Sequence, residues 1–368
     1  MEKVTSKGRW IFPTVLMLAV ISGVLAQSPA NSRVPEFRAD PSWPAIPNNW
    51  LFGEVSSVAV DSQDHVWILQ RPGTVPPAQQ AQAAPPVLEF DAAGHFMKSW
   101  GGPAGPAGGY DWPEREHGIY VDPKGYVWIG GNNGYGTPLP PGDSDDMLLK
   151  FTTAGKFLLQ VGQRNQSGGN GDTRNLHQPA DAFLYRDELF IADGYGNQRV
   201  IVLGANTGAF KRMWGAFGNK PESPPPAAGG AAPSAPPPQF GLVHSIKVSK
   251  DALVYVADRS NQRIQVFTTA GKFVMQTVIG TTGQTTAGLA FSPDSQQQFL
   301  YVANLADSQI VVLNRKTLER VTAFGRPGSN PGEFQTLHHL ATDSKGNIYT
   351  AEIGRGRRAQ KLTFTGFH

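Results

Sequence analysis

Three histidines, His117, His244 and His338, each open a run of alternating residues, 117–121, 244–248 and 338–342. Imidazole is the commonest protein ligand for a transition metal, and three of them leave a tetrahedral ion one open position for water or substrate. The chain has 368 residues and no cysteine. Disulfides, a thiolate nucleophile and sulfur-ligated zinc are therefore excluded, and any metal must rest on histidine and carboxylate.

Ligands so far apart in sequence need elements that bring them together. The stretches 243–248, 253–258, 263–267 and 271–275 are four short runs with two-residue alternation and turn residues between them, the pattern of an antiparallel four-stranded sheet. The inner half of this unit recurs at 56–61 with 66–70, 117–122 with 126–130, 181–185 with 189–193, 288–291 with 300–304, and 338–342 with 347–352. Six such units at a period of roughly 40 to 65 residues predict an all-β fold, a six-bladed β-propeller, in which each blade buries its faces against its neighbours. The sixth unit runs out at 361–364. The segment Glu36 to Asp40 is therefore expected to supply its outer strand and protect the open edge.

Aligning the copies at the first residue of the inner strand sets Ser56, His117, Asp181, His244, Ala287 and His338 in one ring. Alternate blades of a six-bladed ring stand about 120° apart, so three histidines there could share one ion. The second strand ends on the same face, at Arg71, Asn132, Gly194, Arg259, Leu305 and Ile353, with Tyr195 one residue further on. One mouth of the channel is thus expected to gather His117, His244 and His338 as a metal site, Tyr195, Arg71 and Arg259 as catalytic groups, and Asp181 beside them. Plainer roles remain open: a histidine opening a propeller strand can be merely hydrogen-bonded, Arg259 could pair with Asp258, and Tyr195 could be a turn aromatic. Asp193, Asn197 and Arg199 recur as Asp258, Asn261 and Arg263, so they read as hairpin braces. His65, His95, His177 and His368 fall elsewhere in the repeat. Neighbouring strand residues face opposite ways, so His338, rather than His339, is expected to point to the axis.

Residues 1–26 carry Lys3, Lys7 and Arg9 ahead of an apolar stretch ending in Val24-Leu25-Ala26, the pattern of a signal peptide. Export to the periplasm or medium is the expectation, with residues 27–368 as a single propeller domain. An uncleaved anchor is the alternative, though the apolar stretch is short for a span. The formal net charge is +3, most of it in that leader, which gives no electrostatic case for a nucleic-acid partner. The Pro-, Gly- and Ala-rich tracts at 72–86, 101–109, 134–142 and 221–238 read as surface loops, the last as a disordered one. A monomer is expected, without membrane contact once the leader is removed.

These residues together resemble the NHL-repeat propeller of peptidyl-α-hydroxyglycine α-amidating lyase. The resemblance runs over most of the mature chain and is sharpest at 53–71, 117–128, 178–199, 243–263 and 334–349. It implies zinc on His117, His244 and His338, a catalytic tyrosine at Tyr195 within Asp193-Gly194-Tyr195, and active-site arginines at Arg71 and Arg259. It also implies cleavage of a carbinolamide C–N bond to an amide and glyoxylate, on a small-molecule or peptide substrate that carries a carboxylate. A phenol serves as base only where nearby cations stabilise the phenolate. The family's calcium rests on carbonyls matching Val58 and Ile119 and on an aspartate whose place His339 takes here, which speaks against calcium in this chain. Thr336 stands where the family has a methionine, and no hydroxylating domain is present in the sequence. Two other readings are a non-catalytic NHL propeller that binds a protein or glycan, and a calcium-dependent lactonase-type hydrolase, which the histidine-rich axis disfavours.

Overall fold

Strand residues alternate between two faces, yet strands such as Val66–Arg71 and Phe299–Asn304 are buried along their whole length. Such strands need cover on both sides, which a ring of sheets provides. A computed structural model describes residues 1–2, 33–103, 108–135, 143–223, 236–280 and 283–368. Over them the chain forms six four-stranded antiparallel sheets, a six-bladed β-propeller as the repeats predict.

Each blade runs from an inner strand a to an outer strand d. The six a strands are Glu54–Val60, Glu116–Val121, Asp181–Tyr185, Val243–Val248, Leu289–Phe291 and Leu337–Thr342. They touch in order round the ring, the first also against the last. Six apolar clusters lie between neighbouring blades, for example Trp67, Val127 and Phe151 between blades 1 and 2, and Phe190, Val256 and Phe267 between blades 3 and 4. The sixth blade is completed by Pro35–Asp40, antiparallel to Arg358–Phe367, so the N-terminal strand closes the ring.

The register departs from the sequence alignment in one blade. In blades 1, 2, 4 and 6 the a–b pairing slips by one residue between Val55 and Ser57, Glu116 and Gly118, Val243 and Ser245, and Leu337 and His339. Each slip is a β-bulge whose extra residue, Ser56, His117, His244 or His338, is turned out of the ladder toward the axis. A bulge re-aims a side chain in just this way and is common beside functional sites. In blade 3 the position facing Ala257, Gly130 and Ala351 of the other blades is Asp181, opposite Ala192. The equivalent of the histidines is therefore Ala180, and Asp181 belongs one layer deeper, with Gly118, Ser245 and His339. The bulge also removes the strict alternation that set His339 aside: His338 and His339 both face the channel, at successive depths.

Residues Val34–His368 form one compact unit. The loop 72–86 contains two 3-10 turns, Pro72–Thr74 and Pro77–Gln82. The other three loops include stretches outside the described residues, as does the leader at 1–26. No described helix is long and apolar enough to cross a membrane.

Candidate functional site

The three bulged histidines meet at one mouth of the channel, fully buried. Each is fixed by the blade beside it. His117 Nδ1 donates to the Ala180 carbonyl at 2.9 Å, His244 Nδ1 to Ala287 at 2.8 Å, and His338 Nδ1 to Ser56 at 2.6 Å. A carbonyl only accepts, so Nδ1 carries the proton and Nε2 keeps its lone pair. The non-histidine blades of the ring thus supply the backbone acceptors that set the tautomer of the histidine blades.

The Nε2 atoms then converge. His244 Nε2 and His338 Nε2 lie 3.1 Å apart. Two lone pairs facing each other at that distance repel unless one nitrogen is protonated or a cation sits between them. Burial, and the charges of neighbouring histidines and arginines, push all three imidazoles well below the usual histidine range, which disfavours protonation. Three neutral imidazoles with ligand atoms within 4.8 Å of one another could hold a metal ion, and a histidine whose other nitrogen is bonded to a carbonyl is the usual form of a ligand.

Tyr195 enters the same cluster. Its hydroxyl lies 2.7 Å from His117 Nε2 and 3.0 Å from His244 Nε2, and accepts from Arg259 Nη1 at 3.0 Å. The b–c turn reaches this far in because Gly194 has no side chain: a Cβ there would lie 2.1 Å from the Val243 carbonyl oxygen, just before His244. Gly196 similarly lets the His177 ring pack against the turn.

The two expected arginines are both present and buried, in different surroundings. Arg71 Nη1 pairs with Glu54 Oε2 at 2.5 Å, and its Nε donates to the Glu116 carbonyl at 2.7 Å, one residue before His117. Among the described residues Arg259 has no ion-pair partner, and its Nε is buried without an acceptor; it does not pair with Asp258, whose Oδ2 is taken by Arg263. The recurring Asp, Asn and Arg brace their hairpins: Asp193 bonds Asn197, Arg199 and the His177 amide, and Asp258 bonds Asn261, Arg263 and the amides of Gly241 and Leu242. Glu352 makes the same brace in blade 6, to Arg358 and the Gln335 amide.

Sequence reasoning missed several neighbours. Arg115 and Tyr135 stand at the same mouth, with the Tyr135 ring edge-on to Tyr195 at 4.6 Å. Glu116 turns inward to accept from Trp112 Nε1 at 2.9 Å, and burial pushes its carboxyl up to about 7. For Arg115 the signal was its place two residues before His117. For Tyr135, in a loop, there was none.

The layer below does not make a calcium site. Asp181 Oδ2 already accepts from Ser245 Oγ at 2.7 Å, the Ile246 amide at 3.0 Å and Lys247 Nζ at 2.6 Å. Burial would raise this carboxyl, but the Lys247 ammonium, with His339, holds it far below the usual carboxylate range. Calcium needs at least six oxygen ligands, whereas this layer offers an ammonium and an imidazole whose two nitrogens have no hydrogen-bond partner. Beyond it, at the other mouth, a cavity of about 330 Å³ is lined by Val58, Ile119, Phe183, Lys247 and His339 and includes none of the three clustered histidines. A further His and carboxylate group, Asp61, His65 and Glu89, is an ion-pair network at the blade 1 rim, with Lys98 on Glu89 at 2.9 Å and Trp67 on Asp61 at 3.0 Å.

No protein-family model matches the chain. It is 28% identical over 333 residues to NHL repeat-containing protein 3 of Mus musculus, covering 87% of this chain and 82% of that protein. It is 26% identical over 346 residues to peptidyl-alpha-hydroxyglycine alpha-amidating lyase 1 of Drosophila melanogaster, covering 85% of this chain and 57% of the lyase. Among solved structures, a streptogramin B lyase superposes with a TM-score of 0.52 at 15% identity over 89% of this chain and 98% of that one, which is a likeness of fold. The chain is a six-bladed propeller whose distant relatives include both NHL repeat proteins and amidating lyases.

Proposed function

We propose that this protein is a zinc-dependent carbon–nitrogen lyase that cleaves a carbinolamide, R–CO–NH–CH(OH)–COO⁻, into the amide R–CO–NH₂ and glyoxylate. The observation that carries the reading is the meeting of three neutral, tautomer-fixed Nε2 atoms with the Tyr195 oxygen beside the unpaired Arg259. The likeness to the Drosophila amidating lyase supports it. His117, His244 and His338 would hold the ion, and the absence of cysteine leaves histidine and carboxylate as the natural ligands.

Bound there, zinc supplies Lewis acidity toward the substrate hydroxyl. Tyr195 takes the hydroxyl proton as general base, with Arg259 stabilising the phenolate. The oxygen's electrons form the carbonyl of glyoxylate, the C–N bond breaks, and its electron pair stays on the amide nitrogen. That nitrogen recovers a proton from Tyr195, so the step balances without an added reagent. Arg259 offers the substrate carboxylate a planar donor fork, while Arg71, held by Glu54, donates to the Glu116 carbonyl next to His117. Export, to the periplasm or medium, is part of this reading and rests on the pattern of residues 1–26.

Metal analysis of the purified protein, followed by glyoxylate assay with α-hydroxyhippurate, tests the proposal. One zinc per chain and glyoxylate release are expected, both lost on His244→Ala. A folded, metal-replete protein that binds no zinc would sink it. The second reading, a non-catalytic NHL propeller that binds a protein or glycan, is favoured by the likeness to NHL repeat-containing protein 3. It requires zinc-loaded protein to leave α-hydroxyhippurate intact.

A further inference from the structure

Three guanidiniums, Arg71, Arg115 and Arg259, gather at the mouth that holds Tyr195, and their charges are unequally balanced. Arg71 is taken by Glu54. Arg259 and Arg115 form no ion pair among the described residues, and every Asp and Glu of the chain lies among those residues. Arg259 is 4% exposed, and its Nε has no acceptor. Among the described residues the Arg115 side chain makes a single bond, from Nη1 to the Tyr135 carbonyl at 3.3 Å. Burial and then the like charge of Arg71 disfavour the Arg115 cation, with Arg259 adding to this.

The Arg115 backbone is nevertheless held firmly. Its amide donates to Asp145 Oδ2 at 3.0 Å, and its carbonyl accepts from the Asn132 amide at 3.0 Å. Asp145 can reach there because blade 2 ends its b strand in Gly131, where a Cβ would lie 2.5 Å from Asp145 Oδ2. In blades 3, 4 and 6 the corresponding residue is an acid, Asp193, Asp258 or Glu352, that braces its own loop. Blade 2 thus gives up its own brace for Asp145 and presents an arginine two residues before its ligand histidine.

A buried cation without a counter-ion costs several kcal/mol; Arg259 is one, and the half-buried Arg115 at the same mouth adds a second unpaired charge, so the two define a place for an anion. We propose that Arg115 is the specificity-determining residue of this site: together with Arg259 it receives the carboxylate of an N-acylglycine-type ligand. Arg71, tied to Glu54 and to the Glu116 carbonyl, is then a positioning residue for His117. The identity of the ligand as lyase substrate rests on the function proposed above, whereas the anion site rests on the charges alone.

The test uses zinc-loaded protein and two probes that cannot react, hippurate, which has the carboxylate, and hippuramide, which is neutral. Calorimetry on wild type should show a clear preference for hippurate. Arg115→Met should weaken hippurate by about tenfold or more, the scale of a charged hydrogen bond, and leave hippuramide affinity and metal content unchanged. Arg115→Lys should restore part of the loss, which a purely structural role would not predict. Unchanged hippurate affinity in Arg115→Met, or a wild type that does not distinguish the probes, overturns the proposal. If hippurate binding depends on Arg115 but α-hydroxyhippurate yields no glyoxylate, the anion site stands and the lyase reading falls. If glyoxylate forms and kcat/KM is the same in Arg115→Met, the lyase reading stands and this assignment falls.

Discussion

Each of the three histidines is set by a backbone carbonyl, so its tautomer does not depend on any side chain that a substitution could remove. Tyr195 depends on side chains: its hydroxyl is placed by Arg259 and two histidines. Tyr195→Phe removes only that hydroxyl. It should keep one metal per chain, measured by mass spectrometry, and lower kcat for glyoxylate release by about 10²-fold or more, the usual weight of a general base. Unchanged turnover in Tyr195→Phe would leave the tyrosine a structural role. The gathering of His117, His244, His338, Arg71, Tyr195 and Arg259 at one mouth was legible in the repeat register. His339 was misplaced because strand alternation assumes an unbroken ladder, and a bulge shows no distinctive residue type. Arg115 was overlooked because an arginine ahead of a strand looks the same whether it is solvated or aimed at a mouth. Only the census of carboxylates around it separates the two.

At the scale of elements, neighbouring inner strands are coupled by side chains as well as by apolar packing. One such link at the axis joins blade 3 to blade 4, where Asp181 meets Ser245, Ile246 and Lys247. It lies next to Ala180, whose carbonyl orients His117. Lys247→Met leaves the carboxylate buried without its ammonium, and removing one partner of a buried pair costs about 3 kcal/mol. Because the folded-state pKa of Asp181 is depressed, its contribution is present above the unfolded carboxylate value of about 4 and is lost as pH falls through the folded value. The stability gap between wild type and Lys247→Met should therefore be widest near neutral pH and narrow below about pH 4. Denaturant melts at several pH values measure this directly, and a gap that is constant with pH would contradict the pairing. The sequence alignment put Asp181 beside the histidines because Ala180, at the true equivalent position, has no polar group to mark it.

At the scale of the whole molecule, six blades and three histidines are linked: alternation around a closed ring brings three imidazoles to one point while the other three blades supply their acceptors. The arrangement holds only while the ring is closed. Closure depends on one strand, Pro35–Asp40, which pairs with Arg358–Phe367, and on reciprocal bonds between Val34 and His368 at 3.0 and 3.1 Å. Phe37 seats it, stacked on Phe324 at 5.0 Å and edge-on to Tyr301 at 5.8 Å. The sequence indicated this strand by shortage, since the last repeat lacks a fourth strand. A chain that begins at Ser42 loses those ladder bonds and the Phe37 contacts, and leaves Arg358–Phe367 as an unpaired edge open to other chains. The lost contacts of half-buried Phe37 alone are worth about 1–2 kcal/mol, so in a domain of this size the thermal midpoint should fall by at least roughly 2–4 °C. Sedimentation should show more self-association in this variant than in the full chain. Metal stoichiometry should survive in the fraction that stays folded, because His338 lies on the inner strand at the opposite side of the same blade. An unchanged midpoint would mean that the ring is held by its blade interfaces and not by the strand that joins its ends.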